Sequence, residues 1–337
     1  MDVLSDALRV VRLSGAVFFT ARLSSPWSIQ SPPASDLVSL LRLPSDCVTL
    51  FHVLVEGHCL VALEGHQTVE LEAGDVVILP RGAGHVMGSD PQTTPKPMSA
   101  LLPPLTSERI PDIVAGGRGE VTRFICGYLY CDQQFNPLMG TLPEVLVVSS
   151  HKRNECGQTR GDWAGPGVRA AIIQSGEWLE TTLRYTVEEA NGAGPGSALM
   201  LARLAEILFV EVLRRYMKEL PRTERGWLAG VKDPVVGKAL QLLHASPERT
   251  WTVEELARAI AVSRSTLADR FTGLIGEPPM RYLTRWRIQV AEHLLRQTNL
   301  SIFAVAERVG YASEAAFSRA FRRYVGRPPA WWRLSQV

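Results

Sequence analysis

The pattern of apolar and polar positions changes character along the chain. From Cys47 to Gly88 apolar residues come in short runs over 48–55, 59–63, 68–71 and 76–79. Glu56-Gly57, Glu64-Gly65 and Ala73-Gly74-Asp75 punctuate them. Short strands with regular turns predict a β-barrel or sandwich. Residues 123–131 read as a further strand. Ahead of this region, residues 2–13 predict an amphipathic helix with Leu4, Leu8 and Val11 on one face. Strand character follows over 15–20, then a Pro/Ser-rich loop over 24–35. Beyond residue 168 the period becomes helical. Residues 168–189 read as a helix with Gly176 as its weak point. Ser197 caps a helix over 198–218 that is apolar nearly all round and must be buried on most faces.

The strongest regularity lies between Trp251 and Arg333. Ser263-Arg264-Ser265-Thr266-Leu267-Ala268-Asp269-Arg270-Phe271 runs on to Gly276 and Pro278-Pro279. Fifty residues later, Ser313-Glu314-Ala315-Ala316-Phe317-Ser318-Arg319-Ala320-Phe321 runs on to Gly326 and Pro328-Pro329. A short amphipathic helix precedes each copy, over 253–260 and 302–309. Thr252 with Glu255 forms a capping-box pattern, and Ser263, Ser301 and Ser313 stand at N-cap positions. Leu267 and Phe271 face inward. A helix over 280–297, with Leu283, Trp286, Val290 and Leu294 as its stripe, joins the copies. A duplicated helix–turn–helix of this kind places a second helix in a DNA groove.

Charge supports that reading. Residues 234–337 carry fifteen Lys and Arg against eight Asp and Glu, net +7, whereas the remainder carries twenty-one against twenty-six, net −5. The chain's +2 thus hides a basic carboxyl-terminal third, as phosphate binding requires.

These residues resemble the DNA-binding domain of the AraC/XylS family of bacterial transcription regulators over about residues 233–333. The resemblance rests on both copies and on Ala306, Gly310-Tyr311-Ala312-Ser313, Arg322-Arg323 and Gly326. Both the resemblance and the outward helical positions imply that Arg264 and Asp269 on the first recognition helix, and Glu314 and Arg319 on the second, reach base edges. Ser265, Thr266, Ala268, Ala315 and Ser318 share those faces, and Arg322 and Arg323 hold phosphates. One departure is Ala261, where the family has a turn glycine. Alanine at positive φ costs on the order of 1 kcal/mol, which predicts a turn built differently.

A second resemblance covers most of residues 2–148. Gly74, Pro80, Gly82 and His85 fall at the spacing of the second cupin motif, with Ser89 in place of its asparagine. The first cupin motif is missing: Leu50 stands where its glutamate belongs, and residues 43–46 where its histidines belong. Together with Cys126-Gly127, Asn136-Pro137-Leu138 and Leu142-Pro143, the stretch is similar to the cupin-type sensor domain found ahead of some AraC-type DNA-binding domains. His52 alternates with Leu50 and Leu54 and points into the barrel. Two histidines without a carboxylate make a poor metal site, so neither metal nor cofactor is expected. His52 and His85 are either hydrogen-bonded core residues or the remnant of an effector pocket. Cys126 and Cys131 fall on opposite faces of their strand, which excludes a direct disulfide. Cys156 lies in a polar loop beside Lys152, Arg153 and Arg160, where a thiol's pKa falls.

The expected fold class is α+β, a cupin-like β-barrel with helices followed by an all-α tandem helix–turn–helix domain. The expected boundaries are 1–190 for the sensor, 191–226 for a helical connector and linker, and 227–337 for the DNA-binding domain. The helix–turn–helix motifs span about 252–273 and 301–324. The expected function is a sequence-specific transcription regulator in the cytoplasm, at the bacterial nucleoid, and not an enzyme. Its partners are double-stranded DNA, a small-molecule effector, RNA polymerase if it activates, and a second copy through the 198–218 helix. No membrane segment is expected. The alternative is a cupin-type metal-dependent isomerase or dioxygenase with a helical appendage.

Overall fold

The computed structural model describes residues 2–11, 13–41, 47–63, 68–102, 111–131, 138–149, 170–174, 176–192, 194–221 and 223–335. Cys156 and its loop, Asn136-Pro137 and residues 43–46 lie outside them. The chain forms two compact units. One comprises Leu13–Asp132 and Leu142–Glu219; the other comprises Met1–Arg12, Gln133–Thr141 and Leu220–Val337.

In chain order the elements begin with α1 (Val3–Val11), β1 (Leu13–Ser24), β2 (Ser28–Ser31), α2 (Ala34–Leu41), β3 (Val48–Glu56) and β4 (His58–Leu63). Next come β5 (Val69–Glu72), β6 (Val76–Leu79), β7 (His85–Gly88), β8 (Lys96–Pro97), β9 (Asp112–Gly116), β10 (Val121–Cys131), β11 (Val145–Ser149) and β12 (Ala170–Gln174). Helices α3 (Glu177–Gly192) and α4 (Ser197–Glu219) complete the first unit. Where the sequence predicts a barrel, the described strands form two separate sheets. One runs β12-β11-β6-β3-β10-β1-β9 and the other β5-β4-β7-β2-β8. No ladder joins their edges among the described residues.

The burial pattern of β3 explains this layering. Every residue from Val48 to Leu54 is buried. Leu50 and Leu54 belong to the cluster between the sheets, with Val77, Leu79, Phe124 and Cys59. Phe51 and Val53 face the other way, with Val76, Ile78 and Leu129, against Leu179 and Leu183 of α3 and Leu201, Leu208 and Phe209 of α4. The large sheet is therefore apolar on both faces. Gly15 admits α4 here, because a Cβ would lie 2.8 Å from Leu129 Cδ2 and 3.3 Å from the Ala202 carbonyl. Residues 170–174 are strand, not helix. Their pairing parallel to β11 overrides weak helical character, and Gly176 marks the start of α3 instead of a flaw within it.

The second unit contains α5 (Trp227–Lys232), α6 (Val236–Ala245), α7 (Val253–Ala259), α8 (Arg264–Ile275), α9 (Pro279–Gln297), α10 (Ile302–Arg308), α11 (Glu314–Val325) and α12 (Pro329–Leu334). Its caps follow the sequence. Thr252 and Glu255 close a reciprocal box, and Ser263, Ser301 and Ser313 accept from the N–H groups of Thr266, Ala304 and Ala316. Gly276 and Gly326 end α8 and α11 in left-handed backbone. Pro279 and Pro329 open α9 and α12 at N1, where a missing N–H costs nothing.

Three expectations change. Ala261 keeps the family turn, at φ 58°, instead of rebuilding it. It is exposed, whereas a Cβ on Gly310 (φ +82°) would sit 2.5 Å from the Glu248 carbonyl. Crowding thus makes glycine necessary in one turn and not in the other. Helix α9 has two buried faces rather than one stripe. Tyr282, Leu283 and Trp286 are buried, and so are Ile288, Ala291 and Leu295, while Val290 and Leu294 are half-buried. Finally, α1, expected ahead of the strands, packs against α6 and α9 and falls within this compact unit. Its buried residues are Val3, Leu4, Ala7 and Val10, whereas Leu8, expected beside Leu4, is half-buried.

A buried polar chain ties α5, α6 and α9 together. Trp227 Nε1–H donates to Tyr282 Oη at 2.9 Å. The Tyr282 hydroxyl donates to His244 Nε2 at 2.8 Å, and the His244 ring stacks on Trp286 at 3.7 Å. Burial holds His244 neutral, with its pKa pushed down to about 3. Tyr282→Phe strands both the Trp227 donor and the His244 acceptor, at about 1–3 kcal/mol for each buried group. Urea unfolding followed by tryptophan fluorescence is expected to show a loss of at least about 2 kcal/mol; an unchanged midpoint would mean the chain is not formed.

Candidate nucleic-acid interface

Each helix–turn–helix puts a seven-residue helix, α7 or α10, before a twelve-residue helix, α8 or α11. Leu267, Phe271, Phe317 and Phe321 are fully buried, and this fixes the rotation of α8 and α11. Phe271 meets Tyr282 edge-on at 5.6 Å. Phe321 meets Phe317 at 5.5 Å and Trp332 at 5.9 Å. The opposite faces are therefore open. Arg264, Ser265, Thr266 and Asp269 are exposed on α8, with Ala268 half-exposed. Glu314, Ala315, Arg319, Arg322 and Arg323 are exposed on α11, with Ser318 half-exposed.

The two faces differ in how their charges are held. Arg264 Nε lies 2.8 Å from Glu254 Oε1 on α7, and Arg270 lies 2.7 Å from Asp233. The Ser265 and Thr266 hydroxyls turn inward to Ser263 Oγ, at 3.0 and 2.7 Å. Arg319, Arg322 and Arg323 form no ion pair among the described residues. Arg319 and Arg323 line an open groove of about 660 Å³ with Met280, Arg281, Thr284, Ala320 and Tyr324. Sequence reading missed Arg281. Its position, two residues into a helix opened by Pro-Pro, was the available signal, but only packing places α9 beside α11.

The cupin-like unit holds the other candidate residues. The β3–β10 register sets Cys126 opposite His52, and His85 opens β7 in the facing sheet. His52 Nδ1 lies 2.9 Å from Cys126 Sγ, and His52 Nε2 lies 2.9 Å from His85 Nε2. His85 Nδ1 lies 3.0 Å from the Ala83 carbonyl. That carbonyl can only accept, so His85 carries its proton on Nδ1. His85 Nε2 then accepts from His52 Nε2–H, and His52 Nδ1 accepts from the Cys126 thiol. All three groups are neutral. Burial pushes His85 down to about 4 and His52 well below the usual histidine range, and pushes the Cys126 thiol up. Because the chain runs through His52, the three groups do not converge on one point. Among the described residues no cluster of three His, Cys, Asp or Glu could hold a metal. An apolar cavity of about 30 Å³, lined by Trp27, Met87, Met98 and Phe124, adjoins His52 and His85. The Trp27 Nε1–H has no hydrogen-bond partner among the described residues.

Comparison with known proteins agrees with both halves. A family described as Cupin matches residues 2–160 and 168–218, and one described as Helix-turn-helix domain matches 256–335. An AraC-like transcription regulator of Streptomyces lividans is 31% identical over 336 residues, spanning 99% of this chain and 98% of that protein. The HTH-type transcriptional regulator AlkR of Acinetobacter baylyi is 27% identical, spanning 99% of both chains. The solved DNA-binding domain of AdpA, in complex with a target DNA, is 34% identical over 31% of this chain and 93% of that one, with a TM-score of 0.29. No helix among the described residues is long and apolar enough to cross a membrane. With a cupin match over more than half its length and a duplicated, outward-facing helix–turn–helix, this chain belongs to the AraC-type family of DNA-binding transcription regulators that carry an amino-terminal cupin domain.

Proposed function

We propose that the chain is a cytoplasmic, dimeric regulator in which the cupin unit senses an effector and α8 and α11 read successive major-groove segments of a promoter, about one helical turn apart. The observation that carries the DNA reading is the row of exposed guanidiniums Arg319, Arg322 and Arg323 on α11, without an ion pair among the described residues and aligned by the buried Phe317 and Phe321. Arg319 is placed for a guanine edge; Arg322 and Arg323 serve phosphates. Arg319→Ala is expected to cost about 1–3 kcal/mol on the operator and to relax preference at one position. Arg323→Ala is expected to weaken all sequences alike and to lower the salt slope by about one. Binding to operator and scrambled DNA at several salt concentrations checks both. An equal loss on both DNAs for Arg319→Ala would make it a phosphate contact.

His52 and His85 are assigned to the effector pocket. At about 30 Å³ the cavity admits one or two waters, so an organic effector needs the sandwich to open around it. The pair also sets a pH dependence. The folded pKa of His85, about 4, lies below the ordinary 6.5, so the unfolded chain binds the extra proton between those values. Stability from this residue is full above pH 6.5 and falls as pH drops toward 4. Changing His52 and His85 together to Gln is expected to flatten that slope in urea titrations. It is also expected to abolish the effector response in cells while DNA binding persists. A normal response would return both residues to a purely structural role.

Dimerisation is assigned to α3 and α4. Leu201, Leu208, Phe209 and Val212 of α4 are buried on the sheet, while Leu199 and Ile207 are 65% and 50% exposed. Trp178 and Tyr185 of α3 and Met200 of α4 add to that outer surface. Exposed apolar residues gathered on one helical hairpin mark an interaction surface. Sedimentation should give a dimer for the intact protein and a folded monomer for Leu199→Glu with Ile207→Glu. A monomeric parent at working concentration would end the assignment.

A further inference from the structure

Glu254 is not part of the α7 cap, and as an exposed first-turn carboxylate it adds only a modest helix-dipole contribution. Thr252 and Glu255 already form the reciprocal cap, and the Glu254–Arg264 pair is mostly exposed, at 50% and 71%, where ion pairs add little stability. A carboxylate near a face that must meet phosphates weakens binding to every DNA sequence. Its contact with Arg264 is nevertheless short, 2.8 Å, and runs through Nε. That uses the side edge of the guanidinium. The far edge, formed by the two Nη atoms, remains for a second acceptor, and it is the edge that matches O6 and N7 of guanine. Arg264 opens α8, whose N-cap is Ser263, and the amino-terminal residues of a recognition helix are those that reach base edges. By contrast, Arg319, Arg322 and Arg323 on α11 have no such carboxylate among the described residues.

From this juxtaposition we infer that Glu254 is a specificity-determining positioning residue. It holds Arg264 in one orientation for a guanine edge and, by its negative charge, keeps that guanidinium from settling on a phosphate. The amino-terminal helix–turn–helix thus adds discrimination at the Arg264 position to that supplied by Arg319, while Arg322 and Arg323 of the carboxyl-terminal one add charge-driven affinity. The inference rests on the DNA-binding reading above.

The test uses the full-length protein, a DNA fragment that the parent selects from a random-sequence pool, and a scrambled version of it. Glu254→Gln keeps the shape and removes the charge. It is expected to bind scrambled DNA several-fold more tightly, with a salt slope steeper by about 0.9 as Arg264 gains a phosphate. The ratio of selected to scrambled affinity should fall about tenfold, within the range of one bidentate base contact. Arg264→Ala should lower that same ratio in the parent and leave it unchanged in the Glu254→Gln background. The thermal midpoint should fall only slightly, by the loss of one exposed first-turn charge. If Glu254→Gln keeps the parent's ratio, whether or not both affinities rise together, the positioning role is overturned and Glu254 is a bystander charge. A parent with no preference for any selected sequence would instead overturn the DNA-binding reading itself.

Discussion

Everything in the helical unit depends on α9 being buried on two sides. Helices α7 and α10 have seven residues each, and α8 and α11 twelve, too few to persist alone in water. Each pair must lean its apolar stripe on a shared wall. Tyr282 and Trp286 supply that wall on one side of α9, with Phe271 and His244 against them. Ile288, Ala291 and Leu295 supply it on the other, with Phe317, Phe321 and Trp332. Since α9 is continuous, rotating either recognition helix would unpack a core that the other shares. The outward-facing residues of α8 and α11 are fixed by what lies behind them.

The cupin-like unit is built around a different constraint, a sheet apolar on both faces. Its inner face is closed by the smaller sheet, and its outer face by α3 and α4. Within that interior, the neutral chain from Cys126 through His52 and His85 to the Ala83 carbonyl satisfies every ring nitrogen. Such a chain tolerates burial only while uncharged. Acid, or a ligand that takes one of its hydrogen bonds, therefore acts on the packing of both sheets. That gives an effector at this position a physical route to a change in shape.

The two helix–turn–helix motifs are similar in backbone and different in electrostatics. Both turns use positive φ, at Ala261 and Gly310, and both second helices end at left-handed glycines. Yet α8 has Arg264 and Arg270 matched to Glu254 and Asp233, and α11 leaves three guanidiniums without an ion pair among the described residues. What the two motifs share are caps and buried aromatics, which are costly to change; what differs are surface charges, which are cheap to change.

The sequence by itself determined the repeat, the caps, the inward Leu and Phe positions, the basic carboxyl-terminal third and the family. These are local or compositional properties: a serine caps the helix that follows it, and a period of 3.6 or 2 is read within a dozen residues. It also put His52 inside the fold, since alternation on a strand sets the side each residue faces, and singled out His85 through the spacing of the cupin motif it resembles. Only tertiary structure decided the rest. Residues 170–174 became strand because β11 offered an edge. α1 joined the helical unit because α6 and α9 offered two surfaces. Among the described residues the strands formed two sheets and not one closed barrel, because which edges pair is a non-local outcome. Arg264 met Glu254, and Arg281 joined Arg319 and Arg323, across elements whose approach no local pattern encodes. Non-local contacts depend on which surfaces meet, and that follows from packing the whole chain.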